Sequence, residues 1–194
     1  MHPARCTLLA EVIPTKRTHS LVNAQRVDDC LEAICNRWRG QWLEEPMRLE
    51  GEPLRIAAVL SRPCHAFDFA VDLHLALWPM RFKVIATSTN RATAKKQLQI
   101  SKADFQVHLD GLNEVDELLI QSTAQLHAVI MKEWKPSRAK AAQARRRCQN
   151  QFEVAELLGI RQQSVSEALR AGHAKELSSC ETAIRARLNA LGGS

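Results

Sequence analysis

A chain of 194 residues, 45% hydrophobic and 25% charged, has the composition of an ordinary soluble globular protein, enough for one domain or one domain with a small appendage. No apolar run approaches the ~20 residues of a membrane span, and MHPARCTLLAEVIPTKR at the start carries no signal-peptide core or cleavage site, so a cytoplasmic protein, bacterial in style, is expected. The net charge of +6 is unevenly placed: residues 1–134 hold 16 basic and 16 acidic side chains, residues 135–194 hold 11 and 5.

Taken in chain order, Cys6–Ile13 (CTLLAEVI) is an apolar run suited to a buried strand and ended by Pro14. Leu21–Trp38 has helical spacing, with Val22, Val27, Leu31, Ile34 and Trp38 as its stripe. Pro46, Gly51 and Pro53 mark a loop over Trp42–Pro53, with a short strand around Met47–Leu49. Leu54–Ser61 reads as a strand stopped by Pro63. Phe67–Trp78 reads as a second amphipathic helix, with Phe67, Val71, Leu75 and Trp78 inside and a stop at Pro79. Asp68 and Asp72 sit four apart beside that stripe and read as solubilising residues. Arg81–Thr87 alternates as a strand should, and Ser88–Asp104 is a polar loop or a short helix around Thr93–Leu98.

Asn113–Trp134 predicts a long helix with Val115, Leu118, Leu119, Ala124 and Leu126 as inner candidates. Pro136 then opens a basic helix, Ser137–Gln149, as proline does in a first turn. A last helix, Ala174–Leu191, ends at Gly192-Gly193; its stripe of Leu177, Cys180, Ile184, Leu188 and Leu191 packs back onto the helix-turn-helix or forms a dimer seam, the first being favoured. A boundary near Lys135 divides the chain into 1–134 and 135–194.

The most specific stretch is QFEVAELLGIRQQSVSEALRA, residues 151–171. Val154, Leu157 and Leu158 supply the apolar face of a first helix, with Ala155 the small residue on its inner side. Gly159 suits a left-handed turn, Ile160 fills the corner, and Val165 and Leu169 are the buried face of a second helix. This spacing is a helix-turn-helix, whose second helix enters a major groove. Val165, Ala168 and Leu169 face inward, which leaves Gln162, Gln163, Ser166 and Arg170 outward, with Arg161 at the leading end. Glutamine pairs bidentately with adenine, and arginine with guanine or phosphate; Glu167 either accepts from a cytosine amino group or repels phosphate. Arg145, Arg146 and Arg147, which alone would suit a solvated helix face, read beside this motif as phosphate clamps.

Other chemistry has little support. Six scattered cysteines read as reduced thiols, seven dispersed histidines build no zinc site, and no cofactor is expected. There is no phosphate loop, nucleophile elbow or HExxH. Glu11, at the end of the first expected strand, is the only acidic residue placed where a metal-dependent site could use it, and Glu11, Asp68 and Asp72 all read as structural. The four tryptophans read as packing residues rather than base-stacking platforms.

Laid out this way, the chain resembles the SatD family, in CTLLAEVIPTKR, NAQRVDDCLEAICNRW, ALWPMRFKVIAT, KEWKPSRAKAAQ and QFEVAELLGIRQQSVSEALRAG. The resemblance implies an N-terminal α/β region, a C-terminal helix-turn-helix and a stress-linked regulator. Where such proteins carry a Gly-Asp-Glu-Phe-Gln-like block, this chain has LSRPCHAF (60–67), so no catalytic residue is carried over.

The expected fold is α+β, a small βαββαβ-like (ferredoxin- or cyclase-like) domain followed by an all-α helix-turn-helix domain. The expected function is a non-catalytic transcriptional regulator reading double-stranded DNA, with a homodimer and a small-molecule effector as further candidate partners and no membrane. The alternative is a protein–protein adaptor using the helical C-terminal module. A third reading is an enzyme on a nucleotide-cyclase-like scaffold; the missing acidic block argues against it.

Overall fold

The computed structural model describes residues 5–13, 24–45, 47–51, 54–101 and 103–190. The expected helix start at Leu21 and Val22, the stops at Pro14, Pro46 and Pro53, and the end of the last helix at residues 191–193 lie outside them. The architecture is α+β. Strands β1 (Cys6–Ile13), β2 (Arg48–Glu50), β3 (Arg55–Leu60), β4 (Arg81–Thr87) and β5 (Phe105–His108) form one mixed sheet in the order β2-β3-β1-β4-β5. Only β4 and β5 run parallel. β1 lies at the centre, with Leu8 opposite Ala58 and Ala86, and Leu9 opposite Ala57 and Ile85.

Alternation along β1 sends Cys6, Leu8, Ala10 and Val12 to the main core and Leu9 to a smaller one on the reverse face. Both faces are covered, which is why CTLLAEVI is a near-continuous apolar run. The main core receives α1 (Ala24–Trp38), α2 (Ala66–Ala76, after a 3-10 turn at Pro63–His65) and α4 (Glu114–Lys132). The reverse face receives α3 (Arg91–Ile100) through Ala94 and Leu98. Its start is set by Asn90, whose side chain accepts from the Thr93 amide at 3.0 Å.

Three expectations change. β5 falls between a polar stretch and Asp110-Gly111, and its four residues are too short to give an alternating signal. α4 is turned over for four of its five inner candidates: Ala124 is buried as expected, together with Ile120 and His127, whereas Val115, Leu118, Leu119 and Leu126 face outward. α2 is no surface helix, because nine of its eleven residues are buried.

After α4 come α5 (Pro136–Arg145), α6 (Gln151–Leu158), α7 (Gln162–Ala171) and α8 (Ala174–Asn189). The first three surround a separate core of Ala141, Ala144, Val154, Ala155, Val165 and Leu169. α8 instead lays Leu177, Ile184 and Leu188 into the main core, beside the 3-10 turn, α2 and α4. Its stripe therefore serves the N-terminal half more than the helix-turn-helix, contrary to the packing favoured from spacing.

Candidate nucleic-acid interface

Asn150 starts α6 by accepting from the amides of Phe152 and Glu153, both at 3.0 Å, while Glu153 accepts in return from the Gln149 amide and the Asn150 side chain, both at 2.8 Å. α6 stops at Gly159, with φ +64°, and the Ile160 amide reaches back to the Ala155 carbonyl at 3.1 Å. A Cβ on Gly159 would meet nothing within 4 Å, so the backbone conformation rather than space calls for glycine. α7 begins three residues later and packs Val165 and Leu169 against Val154 and Ala155. Leu157 and Ile160 depart from expectation: both are exposed, as is Phe152, because α5 closes this core from the other side with Ala141 and Ala144.

Arg161, Gln162, Gln163, Ser166 and Arg170 are all exposed. Gln163 donates to Glu167 at 3.1 Å, so two polar residues of the outward face hold one another. Arg145 is exposed and donates to the Cys148 carbonyl at 2.6 Å, and Arg147 is exposed. Ser166, Arg170, Arg145 and Lys175 line one cleft of about 950 Å³ together with Arg37, Trp38 and Trp42 of the N-terminal half; Arg161, Gln162 and Gln163 lie outside it.

Arg146 does not join its neighbours. Its Nε donates to Asp72 Oδ1, one Nη to Glu181 at 2.5 Å, and the other to the Asp68 carbonyl at 3.3 Å. A guanidinium with all these donors engaged is not a phosphate clamp, and Arg146 leaves the set on that ground. Asp72 also accepts from Arg37 and, at 2.8 Å, from the Trp38 indole. Asp68 accepts two bonds of 2.6 Å from Arg185 and one of 3.3 Å from His65. His127 completes the chain by donating to Glu181 at 3.3 Å. The network joins α1, α2, α4, the end of α5 and α8.

Asp68 and Asp72 are 5% and 6% exposed, so they are buried ion-pair partners and not solubilising residues. A signal was present in the sequence. AFDFAVDLHLA is apolar on all sides, a helix apolar all round is buried, and its carboxylates must then find cations. Burial opposes the charge on Arg146, but Asp72 and Glu181 outweigh it and hold its pKa above the ordinary value. At Arg37 burial wins over the pull of Asp72, and the pKa falls. Burial would raise the Glu181 pKa, yet the bond from His127 and the charge of Arg146 bring it below the usual range. Glu11, the third acidic candidate, pairs with Arg55 at 2.8 Å.

The charge asymmetry thus has two causes. Arg146, Arg185 and Arg187 answer Asp72, Asp68 and Asp116 of the first 134 residues, while Arg145, Arg147, Arg161 and Arg170 stay exposed. Trp134 ties the two halves at another point: its indole donates to the Gly172 carbonyl, at the end of α7, at 3.1 Å. A Cβ on Gly172 would lie 3.1 Å from the Ala168 carbonyl and 3.5 Å from that indole, a tight fit that glycine relieves. Trp134 also lines a second cavity, of about 690 Å³, with Phe67, Ala70, His74, Phe105 and Ala128. All six cysteines are free, and burial pushes the Cys6 thiol up to about 12, making it a packing residue rather than a nucleophile.

Comparison with protein families, with characterised proteins and with solved structures yields no match to this chain.

Proposed function

We propose that the protein is a DNA-binding transcriptional regulator whose α6–Gly159–α7 unit reads duplex DNA. The observation that carries this reading is the exposed leading end of α7, with Arg161, Gln162 and Gln163 unobstructed on a helix whose opposite side is fixed by Val165 and Leu169. These three residues enter the groove; Arg145 and Arg147 hold phosphates. Ser166 and Arg170 border the cleft toward the N-terminal half, which makes them contacts to the edge of the groove rather than its floor. The N-terminal part is read as a ferredoxin- or cyclase-like domain of the SatD type, supported by the antiparallel order β2-β3-β1-β4, the arrangement of a split βαβ pair. Its role is sensing or assembly rather than catalysis, since every oxygen of Asp68 and Asp72 accepts from a neighbouring side chain. An effector has a place to bind in the cavity that Trp134 lines, one bond from the end of α7.

Selection of bound fragments from a random duplex library by the full chain tests this. A consensus sequence should emerge. Arg145→Ala should weaken binding to all duplexes and reduce the slope of log affinity against log salt by about 1, and Arg170→Ala should act the same way. Gln162→Ala should instead relax preference at one base pair, losing about 1–3 kcal/mol of discrimination. Unchanged affinity in all three variants would refute the assignment. A second reading, an adaptor that docks on a protein through its helical module, draws on exposed Phe152, Leu157 and Ile160 beside the turn. It predicts capture of one protein insensitive to salt and no selected duplex.

A further inference from the structure

α4 has two apolar faces. One enters the main core through Ile120 and Ala124. The other carries Val115, Leu118, Leu119 and Leu126, each 61–65% exposed, and Val129, 47% exposed. Side chains of this size leave on the order of 500 Å² of apolar surface in one stripe, at the upper end of what a monomer carries and more than half of one side of a standard interface.

We infer that this face is the seam of a homodimer in which α4 pairs antiparallel with α4 of a second copy about a two-fold axis at Ser122. The spacing of the stripe is what selects a second copy. Val115, Leu118, Ser122, Leu126 and Val129 are separated by steps of three, four, four and three and read the same in both directions from Ser122, with Leu119 beside them and Gln125 at its mirror position. Antiparallel pairing sets Leu118 against Leu126 of the other copy and Val115 against Val129, with small Ser122 at the axis. A two-fold interface must be complementary to itself, a condition that an unrelated partner does not impose. Steps of three and four are also the repeat by which paired helices interdigitate. Charge agrees with direction. Glu114 and Lys132 are eighteen residues apart, five helical turns, and share one flank of the stripe. Antiparallel pairing brings the Glu114 of each copy toward the Lys132 of the other, which within its own protomer lies 3.8 Å from Asp104; parallel pairing would set these flanks on opposite sides of the seam. The inference does not depend on DNA binding and stands or falls separately.

Ser122→Cys tests the axis. Under mild oxidation at about 50 µM, this variant should form a covalent dimer whose linking peptide joins residue 122 to residue 122. Wild type, with its six native cysteines, and Ser137→Cys, exposed on α5, should form no such band. Sedimentation should find wild type as a dimer and Leu118→Glu/Leu126→Glu as a folded monomer, its dissociation constant raised more than about tenfold. Both positions are more than half exposed in the protomer, so the double variant keeps its fold; circular dichroism checks this. Wild type sedimenting as a monomer at 100 µM would overturn the proposal. So would a dimer that survives the double substitution, or this face taking up a different protein while the chain itself stays monomeric.

Discussion

α2 carries two carboxylates and buries both, whereas α4 leaves four of its large aliphatic side chains more than 60% exposed. Position explains the inversion. α2 lies over the sheet with α1, α8 and the end of α5 around it, so nine of its eleven residues are buried. α4 runs beside β5 and touches α8, and the side that carries Val115, Leu118, Leu119 and Leu126 is open. A helix placed among many neighbours must supply charge pairs within the protein; one at a border can show apolar residues that wait for a partner. The number of neighbours, and not the local pattern, decides which face of a helix is inside.

Removing a carboxylate from the crowded helix α2 should have a large effect on stability. Asp72→Ala would leave Arg37 and Arg146 without their shared partner and the Trp38 indole without an acceptor. Truncating one side of a buried ion pair costs about 3–5 kcal/mol, because the opposite charge stays buried and uncompensated. Equilibrium urea unfolding measures it. A loss below about 1 kcal/mol would mean that water reaches the network and that α2 is no more enclosed than α4.

A smaller effect comes from titrating the same network. The folded-state pKa of Glu181 lies below its ordinary value, so it stabilises the fold fully above the usual carboxylate range, and that contribution is lost as pH falls through the folded value. Asp116, held low by Arg187, titrates in the same direction, so the readout is the difference between wild type and Glu181→Gln. Unfolding free energies from urea titrations between pH 7 and 3 should fall less steeply in the variant, by at most about 1.4 kcal/mol per pH unit. His74 adds an earlier onset. Burial lowers its pKa, so protonation of the unfolded chain begins to favour unfolding below about 6.5. Parallel curves for wild type and Glu181→Gln would remove Glu181 from the acid response.

Elements dominated by local rules were legible in the chain: β1 and β4 have the bounds their apolar patterns indicate, and Gly159 occupies the left-handed turn read from its spacing. What escaped depends on distant partners. Asp72 meets Arg146 from 74 residues away and Asp68 meets Arg185 from 117, separations that no periodic window spans. Arg146 shows this most plainly, since it sits between two exposed arginines, identical to them in sequence and opposite in placement. The outward set on α7 was readable because Val165 and Leu169 fix the helix rotation from within. The orientation of α4 was not: apolar residues occupy both its sides, and periodicity names two stripes without choosing between them.

The smallest expected effect tests α4 itself. Leu119→Ala removes aliphatic carbon that is already 61% exposed, so folding returns little of its transfer free energy from water. Truncation there should change unfolding free energy by no more than about 0.5 kcal/mol, the range of ordinary surface substitutions, at protein concentrations below any self-association. Protein concentration changes the expected outcome. If α4 pairs with a second copy, the same variant should become measurably less stable than wild type as concentration rises, because association adds to apparent stability by mass action. A loss near 2 kcal/mol in dilute solution would instead mean that this face is covered within a single chain, and the contrast with α2 would then lie only in charge.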